Sequence, residues 1–231
     1  MPRTRRIAIV GERDLAKRAH AGIEASLALF GRDFGGGLVY DWISTALVTP
    51  DTIDRVLGDA TGVWCAPGSP YSSTAGALLA IQHARQRKKA FLGTCGGFQY
   101  ALMEFAQNVL GRDAAHQETE PSAPEPLIAK LSCSLLGAKA RVIATAQHGF
   151  AEILGGTESI EEFNCDYGMS EGLRHIFDGS DLAFVAHDEA GQVRAFRLAN
   201  HPFFIGTLFQ PERRALGEGL HPIVRAFLQS S

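Results

Sequence analysis

Short apolar runs alternate with amphipathic ones along the first half of this chain. Residues 7–10 (IAIV) are four apolar positions in a row, the pattern of a strand buried on both faces. Leu15, Ala19, Ile23, Ser26 and Leu27 then recur near a 3.6-residue period and predict a helix over 14–30. LVYDWI (38–43) and GVWCAP (62–67) predict strands, and AGALLAIQHARQ (75–86) a helix. AFLGTC (90–95) predicts a strand running into a turn of small residues. GFQYALMEFAQNVL (97–110) predicts a helix that Gly111 stops. Strand and helix alternating through short connections imply an α/β fold, a mainly parallel central sheet with helices on both faces.

The pattern changes after Gly111. PSAPEP (121–126) puts three prolines in six residues, which excludes a helix interior or a central strand. Residues 112–137 therefore read as a surface loop bordering a site. RVIATA, LAFVAHD, VRAFRLA and FIGTLFQ follow at hairpin-like spacing with a turn at 189–192, and LHPIVRAFLQ (220–229) predicts a closing helix. No internal repeat and no shift in composition marks a boundary, so residues 1–231 read as a single domain.

Composition narrows the function classes. Apolar content of 45% with 20% charged residues suits a chain that buries a full core. The net charge is −3 with acids and bases interspersed, which argues against nucleic acid as a partner. The one basic run, 85–89 (RQRKK), reads as the solvated end of a helix. No apolar run approaches the roughly 20 residues a bilayer demands, and the N-terminus lacks the apolar core of a signal peptide. Those readings point to a cytoplasmic protein. Its cysteines, Cys65, Cys95, Cys133 and Cys165, stand 30 or more residues apart, which fits neither a disulfide framework nor a zinc ribbon. The eight histidines show no paired spacing for a metal, and no cofactor is implied.

One stretch carries chemistry. FLGTCGGFQ sets Cys95 between a predicted strand and a predicted helix, with Gly93 and Gly97 on either side. A tight strand-to-helix turn needs small neighbours and exposes its central residue, while the helix start aims amides and a positive dipole end at the sulfur. Cys95 is thus a candidate nucleophile. A buried structural cysteine in a glycine-rich turn is the plainer alternative.

The stretch GTCGGFQYALMEFAQNVLG resembles the nucleophile region of class I glutamine amidotransferases, and specifically the amidotransferase part of CTP synthases, with its G-x-C-L-G-M-Q core and following I-E-F-A-R-N-V helix. HPFFIGTLFQPE (201–212) is similar to that family's H-P-F-F-x-G-x-Q-F-H-P-E. IAIVGE, APGSPYSSTAG and LHPIVRAFL fall in the family's order, so the resemblance spans essentially the whole chain. It implies the layered, flavodoxin-like fold of that family. In it a Cys nucleophile, a His base and a Glu that orients the His release ammonia from glutamine for a synthetase domain. By that resemblance Cys95 is the nucleophile, Glu212 the orienting acid, Gly68 and Gly97 oxyanion donors and Gln99 a substrate contact. Glu120, allowing one insertion, matches the acid that holds the α-ammonium. Asp166, beside Tyr167 in the substrate-binding stretch, falls on the arginine that holds the α-carboxylate.

The departures matter more. Gln210 stands in place of the base, and a carboxamide cannot accept a thiol proton near neutral pH. The loop after Gly68 reads Ser69-Pro70-Tyr71 instead of a glycine-rich stretch, and Pro70 has no amide hydrogen. With Glu120 and Asp166 and no arginine, the site is expected to repel an amino-acid carboxylate and to suit an amine-bearing molecule. No stretch resembles a synthetase or a phosphate-binding P-loop.

His148 and His116 are candidate substitute bases, with surface or supporting roles as the plainer reading. The glycines at 35–37 follow no strand and read as a loop. Cys65 and Cys133 read as packing residues, and Trp42 and Trp64 as core. Two functions remain: a cysteine-dependent hydrolase of an amide-type C–N bond in a small molecule other than glutamine, or a non-catalytic homologue binding a small molecule or protein. An amidotransferase subunit feeding ammonia to a separate partner enzyme is a third. A homodimer is compatible with each.

Overall fold

The computed structural model describes residues 4–35 and 37–231; Met1 to Arg3, and Gly36 of the glycine loop, lie outside the described residues. The first half runs β1 (Arg5–Val10), α1 (Arg18–Phe34), β2 (Leu38–Ile43), α2 (Ile53–Leu57), β3 (Gly62–Cys65), α3 (Thr74–Gln86), β4 (Ala90–Thr94) and α4 (Gly96–Asn108). The second half contains β5 (Ile128–Lys130), β6 (Lys139–Ala144), α5 (Phe150–Leu154), β7 (Glu158–Glu162), β8 (Tyr167–Met169), β9 (Leu182–His187), β10 (Val193–Leu198), β11 (Phe204–Thr207) and α6 (Pro222–Ser230).

Nine strands form one sheet in the order β2-β1-β3-β4-β11-β10-β9-β6-β7, with β5 and β8 as a separate ribbon. The five strands from β2 to β11 pair in parallel and the remaining pairings are antiparallel. The parallel half matches the predicted α/β architecture. Its central strands β3, β4 and β11 are buried throughout because helices cover both faces, whereas β2 at the edge is largely exposed.

Several elements differ from the sequence pattern. α1 begins four residues later than predicted. The Asp14 side chain accepts from the Ala16 amide, and its own amide donates to His20 Nδ1, so a turn replaces the first helical residues. Leu15 accordingly lies exposed at 51%, not on the buried face. The 112–137 segment is less open than a surface loop, since it buries His116 and Leu127 and contributes β5. The basic run is not simply solvated. Arg85 holds buried Glu104 through two hydrogen bonds, at 2.6 and 2.9 Å, and Lys89 caps the carbonyls of Leu57, Gly58 and Ala60 at the end of α2. Cys133 is exposed and does no packing, whereas Cys65 and Trp64 are core. Among the described residues no helix is long and apolar enough to cross a membrane.

Candidate active site

The loops leaving the carboxyl ends of β3, β4 and β11 meet on one side of the sheet, where ligands sit in open α/β folds. Cys95 caps α4 with φ 53° and ψ −104°, a sparsely populated conformation for a non-glycine residue. Tertiary bonds hold it there, since its amide donates to the Thr207 carbonyl at 2.8 Å on neighbouring β11. The flanking glycines permit close approach. A Cβ on Gly93 would fall 2.6 Å from the Gly97 carbonyl oxygen, and one on Gly97 would fall 2.2 Å from the Cys65 carbonyl oxygen.

That close approach leaves no room for a side chain at Gly97. The Gly96 amide is among the groups that draw the Cys95 pKa down. A Cβ on Gly96 would lie 3.0 Å from the Ser69 nitrogen and 3.5 Å from that of Gly68, so the 68–69 loop packs directly against the start of α4. Pro70 follows Ser69 and is not among the residues lining the cavity. Gly68, at φ 130°, lines the cavity. His20 fixes this loop: Nε2 donates to the Pro67 carbonyl at 2.6 Å while Nδ1 accepts from the Asp14 amide at 3.0 Å. Burial lowers its pKa, which keeps the ring neutral in that arrangement.

Gln210 lines the cavity together with Cys95. Hydrogen bonds to Cys95, from the Cys165 thiol first and then from the Gln210 side chain and the Gly96 amide, pull its pKa below the ordinary thiol value against the opposing effect of burial. Glu212 is fully buried, neither of its carboxyl oxygens has a hydrogen-bond partner, and the Gln210 Oε1 is equally orphaned. Burial therefore raises the Glu212 pKa well above the carboxylate range. The acid that would orient an imidazole is buried with both carboxyl oxygens unpaired, and burial favours its protonated form. The site can stabilise a thiolate, but it offers no base beside it.

A cavity of about 490 Å³ opens above Cys95 and is bordered by Gln99, Asp166, Tyr167 and Gln210 among the expected residues. Glu120 is a correction: it faces a different depression, beside Arg112 and His175, and Glu118 borders the cavity instead. The expected lack of basic groups is also corrected. Lys17, Arg18 and Arg213 line the cavity, with Arg18 and Arg213 sharing Glu162 at 3.6 and 3.4 Å. Asp166 remains on the wall, accepting a hydrogen bond from Ser134.

Gln99 has both ends of its amide engaged, donating to the Tyr167 carbonyl at 2.8 Å and meeting His116 Nε2 at 3.1 Å. His116 Nδ1 accepts from the Glu118 amide at 3.2 Å, so this buried ring ties Glu118 to Gln99. Its pKa is pushed down to about 4 by burial, which makes it a neutral brace. His148 lies elsewhere, exposed, with its carbonyl accepting from Arg197. The residues missed by sequence reasoning are Lys17, Arg18, Glu118, Cys165 and Arg213. Only Glu118 had a signal, two positions from Glu120; the others meet the cavity through folding alone. Among the described residues no three His, Cys, Asp or Glu side chains cluster for a metal.

A cysteine at a strand-to-helix elbow, on a half-parallel sheet and with an acid two residues past the end of its neighbouring loop, defines an amidotransferase-like class of protein. The chain belongs to the class-I glutamine amidotransferase family, whose family model matches residues 41–230. It is 28% identical to CTP synthase of Staphylococcus aureus over 97% of this chain and 44% of that protein, so it spans less than half of that relative's length. In fold it is similar to the glutaminase domain of Trypanosoma brucei CTP synthase with bound acivicin (TM-score 0.87, 20% identity, 98% of this chain and 93% of that one). A glutamine amidotransferase from Thermotoga maritima shares the fold at TM-score 0.59 and 13% identity, covering 91% of this chain and 77% of the other.

Proposed function

We propose that this chain is a cysteine-dependent hydrolase of an amide-type C–N bond in a small molecule other than glutamine, with Cys95 as nucleophile. The observation that carries the reading is the setting of the sulfur. Its pKa is drawn down by Cys165 first and then by Gln210 and the Gly96 amide, which favours the thiolate, and Gly68 and Ser69 line the same cavity. Attack on a carbonyl carbon would form the C–S bond and expel the amine, leaving a thioester on Cys95. No imidazole stands ready to deprotonate water, so release of the acyl group is the slow step.

The cavity lining supports a substrate bearing charges of both signs. Glu118 and Asp166 suit an ammonium group, and Lys17, beside Gly68, suits an anionic one. A cytoplasmic setting belongs to the same proposal, because it keeps the thiol reduced.

A second reading, a non-catalytic binding protein, is favoured by one observation: Glu212 is buried without a partner. Incubation with a panel of glutamine-like and amine-bearing amides, followed by mass spectrometry, separates the readings. An acyl adduct on Cys95 that disappears in Cys95→Ala is the expected outcome. Tight binding without an adduct favours the binding protein. Ammonia release from millimolar glutamine at the rate of a working amidotransferase would overturn the exclusion of glutamine and favour a subunit that feeds a partner enzyme.

A further inference from the structure

Hydrolysis leaves one nucleophilic group in the cavity without a task. Cys165 lies just before β8, is buried, and lines the same cavity as Cys95. The backbone cross-braces the two residues. Cys95 sulfur approaches the Asn164 carbonyl at 3.8 Å, one peptide unit from Cys165, while Cys165 sulfur approaches the Leu208 carbonyl at 3.6 Å. The Cys95 amide bonds the carbonyl of Thr207, the residue before Leu208. The Cys165 thiol donates to the Leu208 carbonyl, and both sulfur-bearing residues line one cavity. Neither cysteine is in a disulfide.

We propose that Cys95 and Cys165 form a peroxide-responsive dithiol, in which Cys95 is oxidised first and Cys165 resolves it, reversibly closing the site. The inference does not rest on amide hydrolysis, because it needs only a thiolate, a second thiol and access to a small oxidant. The chemistry balances. Cys95 thiolate attacks one oxygen of a hydroperoxide, an S–O bond forms as the O–O bond breaks, and the departing alkoxide or hydroxide takes up a proton. Cys165 sulfur then attacks the sulfenic sulfur. The S–S bond forms, the S–O bond breaks, and the hydroxide leaves as water with the Cys165 proton. Two thiols and one hydroperoxide give one disulfide, one alcohol or water, and one water, with two electrons passing from sulfur to oxygen.

The surroundings suit each half of this role. The first thiol must be thiolate-rich and reachable; Cys95 is stabilised by the start of α4 and borders the cavity. The resolving thiol must wait as a thiol until the sulfenic acid appears. Cys165 is held protonated by its hydrogen bond to Cys95 and by burial, which together raise its pKa well above the ordinary value. The other two cysteines do not fit. Cys133 is exposed and absent from the cavity lining, and burial drives the Cys65 thiol far up the scale.

The test uses the full chain and hydrogen peroxide as the probe. After brief treatment and alkylation of the remaining thiols, peptide mapping is expected to show one intramolecular Cys95–Cys165 disulfide and loss of two hydrogens from the intact mass, reversed by dithiothreitol. In Cys165→Ser the Cys95 sulfenic acid should persist, so that dimedone labels it roughly ten-fold more than in the native chain, and continued exposure should carry it on to the sulfinic acid. A disulfide mapping to Cys65 or Cys133, or equal dimedone labelling with and without Cys165, would overturn the proposal. Should Cys165→Ser fail to fold, the map of the native chain still decides. An acyl adduct on reduced protein reports separately on hydrolysis, so either reading can fail alone.

Discussion

Glutamine at position 210 serves one of the two neighbours a histidine would serve. It helps to lower the Cys95 pKa, but Glu212 has no hydrogen-bond partner and a carboxamide cannot take a proton. Gln210→His would complete both contacts, because Glu212 already stands in place to orient the new ring. We expect this change alone to yield no useful glutaminase activity, since Asp166 and Glu118 both border the cavity where a carboxylate must also bind. Adding Asp166→Arg replaces repulsion with a charge-assisted pair worth roughly 2–5 kcal/mol, on the order of thirty-fold to several thousand-fold in rate. The double variant should therefore exceed the sum of the two singles in glutamine-dependent ammonia release. Robust activity in Gln210→His alone would show that Lys17, Arg18 and Arg213 already hold the carboxylate, and that Asp166 is no obstacle.

The elements around the site are seated by glycines whose role is clearance. Gly22 lets α1 lie on the segment carrying Glu212, where a Cβ would fall 2.6 Å from the Glu212 carbonyl oxygen. Gly97 does the same for α4 against β3, where the obstacle at 2.2 Å is backbone and cannot rotate away. Gly97→Ala should destabilise the protein by about 2 kcal/mol or more through forced displacement of α4, and should slow alkylation of Cys95. Gly111→Ala is the contrasting case. Space around it is open and the cost is only that of φ 62°, about 1 kcal/mol. Urea unfolding of both variants tests the ranking. A Gly97→Ala protein as stable as Gly111→Ala would mean that α4 shifts without penalty.

Across the whole molecule, buried titratable groups make stability depend on pH in two opposite senses. His116 is folded with a pKa near 4, below its ordinary 6.5, so the unfolded chain binds more protons in that interval. Stability should fall as pH drops from about 6.5 towards 4, by up to a few kcal/mol. Glu212 has a folded pKa raised above 4.5, so the folded chain holds more protons there, and stability should fall as pH rises above that value. Urea unfolding at pH 5 and pH 8 checks the second effect. Glu212→Gln should lose less stability than the native chain between those pH values, and an unchanged difference would mean that Glu212 is ionised in the fold.

Local pattern was enough for the parallel half of the sheet and for the elbow, because unbroken apolar runs and a strand–Gly–Cys–Gly–helix stretch carry their own instructions. The long motifs around Cys95 and Gln210 likewise announced the family. The antiparallel half was legible as strands but not as an order, since β6 pairs with β9 only after the chain has passed through α5, β7 and β8. The cavity was least legible. Glu118 displaced Glu120 because His116 pins its amide, and Lys17, Arg18, Cys165 and Arg213 arrive from three distant segments. Spacing reports which residues share a strand or a helix face. Which segments converge on one point, and so what charge and which second thiol stand beside Cys95, depends on long-range packing that no local pattern contains.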